Sequence, residues 1–138
     1  MNNLILLRHG QSQWNLENRF TGWEDVPLTK QGINEAKNAG QIMKKNKVNI
    51  DFIFSSALQR ANKTAEFSIK EMNLNNFFKN NQLIMTRSES LNERDYGDLV
   101  GLNKNETANK FGKEQVHIWR RSYDTPPPNG ESLKDVVK

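Results

Sequence analysis

Apolar positions in the first half of the chain alternate between short continuous runs and longer periodic stretches. The run from Leu4 to Leu7 has no polar interruption, which is typical of a strand covered on both faces. A second run from Ile50 to Phe54 predicts another strand, which ends at Ser55 and Ser56. Between these runs, residues 9 to 28 are polar and contain Gly10, Gly22 and Pro27, which indicates a long ordered loop. Such loops are usually functional.

Two amphipathic helices are predicted around the second strand. Thr29 is a good N-cap for the first helix, whose apolar face comprises Ile33, Ala36, Gly40 and Met43. The second helix follows Ser56, with an apolar face of Leu58, Ala61, Ala65, Ile69 and Met72. The order strand, loop, helix, strand, helix predicts an α/β fold with parallel strands and right-handed crossovers.

The second half of the chain is more polar. Leu83 to Thr86 predicts a third strand, and a glycine-containing loop runs from Leu91 to Asn103. Asn103 and Glu106 resemble a capping box for a short helix that ends near Gly112, and another helix follows through Trp119. Pro126 to Gly130 predicts a stiff, extended connector.

A last helix is predicted from Glu131, and the sequence stops eight residues later without a stop signal. Because helices average about 11–12 residues, we interpret this end as a truncation.

Composition narrows the function classes. The chain has 138 residues, enough for one domain with a sizeable core. Asparagine is frequent between Asn73 and Asn81, which we attribute to compositional bias. Without cysteine there is no disulfide framework and no thiolate metal site. The formal charge of +4 and pI of about 9.4 are compatible with an anionic small-molecule substrate, and no basic stripe with interleaved aromatics indicates nucleic acid. No apolar stretch is long enough for a membrane span and no signal-peptide pattern is present, so we expect a cytoplasmic protein.

The tetrapeptide Arg8-His9-Gly10-Gln11 follows the first apolar run directly and carries the strongest chemical signal. Ligands of open α/β sheets bind at the carboxyl edge of the strands. Imidazole is largely neutral and nucleophilic near neutral pH, and a guanidinium supplies a planar fork for phosphate oxygens. The pair therefore indicates a histidine that accepts a phosphoryl group, although an isolated Arg-His pair is more often a solvated loop.

Four later segments make this signal specific. Arg60 lies one turn into a predicted helix that follows a strand, where anions are favoured. Glu93 lies in a loop among cationic and aromatic neighbours, Arg120 and Arg121 precede a proline-rich turn, and Phe20 to Trp23 lie in the loop after His9. The chain otherwise prefers lysine, so arginine at these positions favours bidentate recognition of anions. Read alone, Glu93 with Arg94 is a surface ion pair and Arg120 with Arg121 a solvated helix end.

Together these segments resemble the cofactor-dependent phosphoglycerate mutases of the histidine phosphatase superfamily. The resemblance runs from residue 4 to the last residue, in matching order and spacing. The motifs that carry it are Leu7 to Asn15, Asn18 to Trp23, the Arg60 and Glu93 segments, Gly101 to Lys104, and Glu114 to Val116 with Trp119 to Arg121.

The resemblance implies roles for individual residues. His9 would become the phosphohistidine, Glu93 would be the general acid and base, and Arg8 and Arg60 would clamp the transferring phosphoryl group. Substrate binding would also involve Ser12, Asn15, Thr21, Gly22, Tyr96, Lys104, Arg120 and Arg121. The implied reaction interconverts 3-phosphoglycerate and 2-phosphoglycerate in glycolysis and gluconeogenesis, primed by 2,3-bisphosphoglycerate and without a metal ion.

The implied fold is a three-layer α/β/α arrangement with a mostly parallel sheet, of which residues 1–138 would be an incomplete catalytic domain. The family uses a second histidine in a His-Gly-Asn motif, and this sequence contains no such motif. His117, the other histidine, matches no motif and is expected on the surface. We therefore expect little mutase activity from these 138 residues alone.

Two alternatives stay open: a histidine-type phosphatase that hydrolyses the phosphohistidine, and a non-catalytic fragment or a subunit that needs a partner. A small phosphorylated substrate is the expected partner, with no nucleic acid and no membrane. The oligomeric state is open, a homo-oligomer of the full-length form included.

Overall fold

The computed structural model describes residues 2–138, which form an α/β structure of six helices and four short strands within that range. In chain order the elements are α1 (Gln13–Leu16), α2 (Lys30–Lys45), β1 (Phe54–Ser55), α3 (Gln59–Glu71), β2 (Phe78–Lys79), β3 (Gln82–Leu83), β4 (Thr86–Arg87), α4 (Lys104–Phe111), α5 (Lys113–Arg121) and α6 (Leu133–Val137). Short 3-10 turns lie at Asn75–Phe77, Glu89–Leu91 and Gly97–Leu99.

Helices α2 and α3 pack closely, with Ala36 and Gly40 of the predicted apolar face of α2 buried in the contact. The predicted face of α3 is only partly confirmed, because Thr64 and Ser68 are buried beside Ile69 whereas Ala61 and Ala65 are half-buried. The hydroxyl of Ser68 donates a hydrogen bond to the carbonyl of Ala36 at 2.7 Å, and Gly40 gives α3 room to approach. Ile69, Met72 and Leu83 form the buried centre of this region, with Met43 and Ile53 packed against it. The predicted N-cap of α2 is confirmed, since the Thr29 hydroxyl accepts a hydrogen bond from the amide of Gly32 at 3.1 Å.

A second, smaller core lies under the polar loops. Phe20, Leu99 and Val116 are buried there, and Tyr96 and Trp119 pack against them. This core ties the loop after His9 to α5. It therefore sets the relative positions of the segments that carry the candidate site.

Strands β1 and β4 pair in parallel, with Phe54 beside Thr86, which confirms the predicted α/β class. The predicted strands are nevertheless wrong in extent. Only Phe54 and Ser55 are strand in the second apolar run, and the third divides into β3 and β4. β2 and β3 form an antiparallel hairpin that the sequence reading missed.

The most important correction concerns Leu4 to Leu7. The structure assigns no strand to these residues, and Leu4 and Leu6 are 83% and 85% exposed rather than buried. A strand needs a neighbouring strand to satisfy its backbone, and no strand within residues 2–138 pairs with this run. An apolar run indicates a preference for burial, but it does not show that a pairing strand is present.

The helices of the second half lie where the sequence predicts them. Asn103 caps α4 by accepting hydrogen bonds from the amides of Asn105 and Glu106, although no return bond from Glu106 completes a capping box. Gly112 ends α4 with a φ of 90°. No helix within residues 2–138 is long and apolar enough to cross a membrane.

Candidate active site

His9 has one ring nitrogen fixed and one available. Its Nδ1 lies 2.7 Å from the carbonyl oxygen of Gly10. A carbonyl oxygen only accepts hydrogen bonds, so this contact assigns the proton to Nδ1. Nε2 makes no hydrogen bond within residues 2–138 and keeps its lone pair, which makes it the nucleophilic atom of the ring.

The surroundings of His9 favour its neutral form. Burial lowers the pKa of His9 below its usual 6.5, and the nearby cations Arg60 and Arg8 lower it further. The hydrogen bond to Gly10 and the negative charge of Glu93 act in the opposite direction, but the net shift is downward. The imidazole is therefore neutral, and able to attack, at physiological pH.

Two glycines hold the His9 loop against α2 and α3. A Cβ atom at Gly10 would overlap the backbone of Gly32, and one at Gly32 would overlap Gln11. The amide of Gly10 also donates to the hydroxyl of Thr64, at 3.1 Å. Only glycine permits this approach, which fixes the backbone beside His9.

His9 lines a cleft of about 330 Å³ whose charge is strongly positive. Five of its lining side chains are cationic and one, Glu93, is a carboxylate. The residues around the cleft are Arg8, His9, Asn15, Arg19, Phe20, Thr21, Glu93, Tyr96, Lys104, Arg120 and Arg121. Such an excess of cations suits a ligand with several negative charges.

Arg60 lies behind this cleft rather than on its wall. Its side chain is only 1% exposed and donates to the carbonyls of Gly22 and Glu24 at 2.7 and 2.9 Å. It also pairs with Glu93 at 3.1 Å. In this arrangement Arg60 connects the loop after His9 to the Glu93 carboxylate.

Lys104 and Arg120 converge on the ring of Phe20. The Lys104 ammonium and the Arg120 guanidinium lie 5.7 and 6.0 Å from the ring centroid, within cation–π range. Burial, and then the charge of Arg120, lower the pKa of Lys104 from its ordinary value. The nearby Glu93 carboxylate raises the pKa of Lys104, but the net shift is downward, and this excess of positive charge favours the binding of an anion.

Ser12 and Gly22 do not line the cleft. Ser12 is fully buried and caps α1, accepting a hydrogen bond from the amide of Asn15 at 3.2 Å. Gly22 has a φ of 55°, and a Cβ there would lie 3.0 Å from the amide of Tyr96. Both residues shape the loop around the cleft, and their predicted contact with substrate stays a prediction.

The sequence reading missed two residues of the cleft, Arg19 and Phe20. Both lie in the Asn18 to Trp23 segment, and Arg19 is one more arginine in a chain that prefers lysine. Its guanidinium donates to the carbonyl of Gly101 at 2.7 Å and to the Glu17 carboxylate at 2.7 Å. The feature of the sequence that could have identified Arg19 as a cleft residue is that it is an arginine rather than a lysine.

Acidic and imidazole groups do not cluster in the described part of the chain. Within residues 2–138, no three His, Asp or Glu side chains are placed to hold a metal ion. His117 lies exposed on α5, as expected.

An α/β fold with a neutral histidine in a cleft of arginines is typical of the class of proteins that bind phosphoryl groups. The chain matches the histidine phosphatase superfamily (branch 1) over residues 4–138 and belongs to that family.

Its curated relatives include two 2,3-bisphosphoglycerate-dependent phosphoglycerate mutases. The mutase of Methylocella silvestris is 55% identical over 134 residues, and that of Mesorhizobium japonicum is 54% identical over 133. The matches cover 97% and 96% of this chain, and the chain spans 62% of the length of each relative. The resemblance to this branch of the family is thereby confirmed.

Solved structures confirm the fold. A mycobacterial glucosyl-3-phosphoglycerate phosphatase complexed with VO3 matches with a TM-score of 0.77 and 27% identity, over 94% of this chain and 56% of its own. The Bacillus stearothermophilus protein YhfR matches with a TM-score of 0.72 and 29% identity, over 94% and 58%.

Proposed function

We propose that this chain carries the phosphoryl-transfer machinery of a 2,3-bisphosphoglycerate-dependent phosphoglycerate mutase. The reaction would interconvert 3-phosphoglycerate and 2-phosphoglycerate, a step of glycolysis and gluconeogenesis in the cytoplasm. The observation that carries the proposal is the free Nε2 of a neutral His9 at the wall of a cleft with five cations.

Each transfer can be written with the residues of the cleft. Nε2 of His9 attacks the phosphorus, the P–N bond forms and the P–O bond breaks. Glu93 gives a proton to the departing hydroxyl oxygen, and in the reverse transfer it takes the proton from the attacking hydroxyl. Arginines hold the phosphoryl oxygens and spread their charge, as guanidinium geometry allows.

The residues present fit the bisphosphorylated primer. 2,3-Bisphosphoglycerate has two phosphates and a carboxylate, and the cleft offers Arg8, Arg19, Lys104, Arg120 and Arg121 as counter-charges. When bound, the primer supplies the phosphoryl group that charges His9.

His9 phosphorylation tests the proposal directly. The chain is incubated with 2,3-bisphosphoglycerate, and the gain of one phosphoryl mass is followed by intact-protein mass spectrometry without acid. We expect the H9N variant to lose labelling by at least about 10³-fold, because the nucleophile is gone. H117Q is the matched control and should label like the wild type. Labelling of H9N at the wild-type rate would contradict the proposal.

A phosphatase is the second candidate, favoured by the fold match to a glucosyl-3-phosphoglycerate phosphatase. The two functions differ in the acceptor of the phosphoryl group, which is a sugar-acid hydroxyl in one and water in the other. Phosphorus NMR after 3-phosphoglycerate is added to the phosphorylated chain separates them in a single turnover. Formation of 2,3-bisphosphoglycerate supports the mutase, and accumulation of inorganic phosphate supports the phosphatase.

A further inference from the structure

The loop that carries Glu93 and Tyr96 is held from outside the cleft by a second segment, residues 127–131. The amide of Asp98 donates to the carbonyl of Pro128 at 2.9 Å. Gly97 and Gly130 pack so closely that a Cβ on Gly130 would lie 2.9 Å from the amide of Gly97. Pro127 is fully buried beneath this contact.

Glu131 makes the tightest link between the two segments. Its carboxylate accepts a hydrogen bond from the amide of Asp95 at 2.8 Å, and its own amide donates to the carbonyl of Asp95 at 2.9 Å. Its carbonyl accepts from the guanidinium of Arg94 at 3.3 Å. Glu131 thus contacts both residues between Glu93 and Tyr96, although it does not line the cleft.

The other side of Glu93 is less constrained. Its side chain is 41% exposed, and Arg60 is its ion-pair partner within residues 2–138. A proton donor must lie within hydrogen-bond reach of the departing oxygen, so a loop on the surface needs external support. The paired hydrogen bonds to Asp95 supply that support two residues along the chain from Glu93.

We propose that Glu131 is a positioning residue, which holds the Asp95 backbone so that Glu93 stays in the cleft wall. This inference rests on the proposed function. A charge-assisted hydrogen bond to a backbone amide is among the stronger ones available to a loop. Because Glu131 acts through Asp95, its loss should impair the proton transfer made by Glu93 more than the attack made by His9.

The first test uses the ligand-free chain. In E131A we expect the amide of Asp95 to exchange its hydrogen about tenfold faster than in the wild type, while amides of α2 keep their rates. E131Q keeps an acceptor oxygen and should recover most of the protection. The matched control is E89A, since the side chain of Glu89 is exposed and makes no hydrogen bond to Asp95. Unchanged exchange at Asp95 in E131A would overturn the inference.

The second test compares two phosphoryl donors for His9. When 2,3-bisphosphoglycerate is the donor, the leaving group is the hydroxyl oxygen of a phosphoglycerate, which needs a proton from Glu93. When p-nitrophenyl phosphate is the donor, the leaving group is p-nitrophenolate, which is stable without a proton. We expect E131A to slow labelling from the first donor by about 10- to 100-fold and from the second by less than about twofold. Equal slowing with both donors, or none with either, would overturn a positioning role. If the wild-type chain takes a phosphoryl group from neither donor, the proposed function fails and the exchange rates alone decide on Glu131.

Discussion

At the scale of single residues, the chemistry of the cleft depends on which form each side chain takes. His9 is neutral and its proton is held on Nδ1, so that the reactive nitrogen needs no further activation. Arg60 is buried on three oxygen partners and orders Glu93. The protonation of His9 and the position of Glu93 thus depend on individual contacts, each of which one substitution can alter.

The pH dependence of His9 labelling follows from the direction of its pKa shift. The neutral imidazole attacks, and burial together with Arg60 and Arg8 lowers the pKa below 6.5. With p-nitrophenyl phosphate as the donor, whose phenolate leaves without a proton from Glu93, the labelling rate should therefore stay constant above pH 6.5 and fall as the pH drops through the lowered pKa. We expect R8Q to move the fall to higher pH, because one of the cations that lower the pKa is gone.

NMR titration of the His9 ring in the ligand-free chain measures the same shift without turnover, with H117Q used to assign the two imidazole signals. A midpoint for His9 above 6.5 in the wild type would contradict the expectation.

Ser12 offers a prediction that separates structure from binding. Its hydroxyl caps α1 and is fully buried, so S12A should lower the free energy of unfolding by about 1 kcal/mol. Urea denaturation measures the change, with S90A as an exposed serine control. An unfolding free energy equal to that of the wild type would show that the cap does not stabilise the fold.

At the scale of elements, the sequence predicts helices well because their periodicity is local. α2 and α3 each repeat their apolar positions over several turns, and both lie where that pattern places them. Strands depend on partners from elsewhere in the chain, which explains the errors at Leu4 to Leu7 and Ile50 to Ile53. The missed hairpin turns at Asn80 and Asn81, whose φ angles are 51° and 61°. Asparagine tolerates this left-handed region, so part of the asparagine-rich stretch has a structural role.

The site was predicted in a similar way, from local motifs. Arg8, His9, Glu93 and Arg120 could be found because each belongs to a short motif with a chemical meaning. The burial of Arg60 against the carbonyls of Gly22 and Glu24 depends on how two distant segments pack. Such contacts have no signature in the sequence.

The approach of α2 to the His9 loop predicts the effect of G32A. Alanine favours a helix interior by about 1 kcal/mol over glycine, but here its Cβ would overlap the backbone of Gln11. Overpacking typically costs about 1–3 kcal/mol, and a backbone atom yields less than a side chain. We expect a net loss of stability and a displaced His9 loop.

Thermal unfolding and the His9 labelling rate report the two effects of G32A. N38A, at an exposed position of the same helix, is the control. An increase in the stability of G32A would contradict this expectation and would mean that the His9 loop moves away from the new Cβ atom without a loss of free energy.

At the scale of the whole molecule, the described residues form two small buried cores, while several large apolar side chains remain exposed. Leu4, Leu6, Phe52 and Phe54 are each at least 65% exposed. Exposed apolar patches of this kind favour association. We therefore expect these exposed apolar side chains to promote association between copies of this chain in solution.

The L6K variant tests this distribution. Leu6 is 85% exposed, so lysine should change the free energy of unfolding by less than about 0.5 kcal/mol and reduce concentration-dependent association. L58A, at a buried position, should cost about 2–5 kcal/mol. Urea denaturation and sedimentation velocity provide the two measurements. A loss in L6K comparable to that in L58A would mean that Leu6 is buried in solution.

The hydrogen bond between the His9 ring and the Gly10 carbonyl also predicts which product the proposed phosphorylation of His9 would give. Phosphorylated imidazole exists as two regioisomers, which differ in the ring nitrogen that carries phosphorus. With Nδ1 engaged by the carbonyl, only the isomer substituted at Nε2 can form without breaking that contact. A reagent specific for the Nε2 isomer of phosphohistidine would therefore detect the phosphorylated chain, and one specific for the Nδ1 isomer would not.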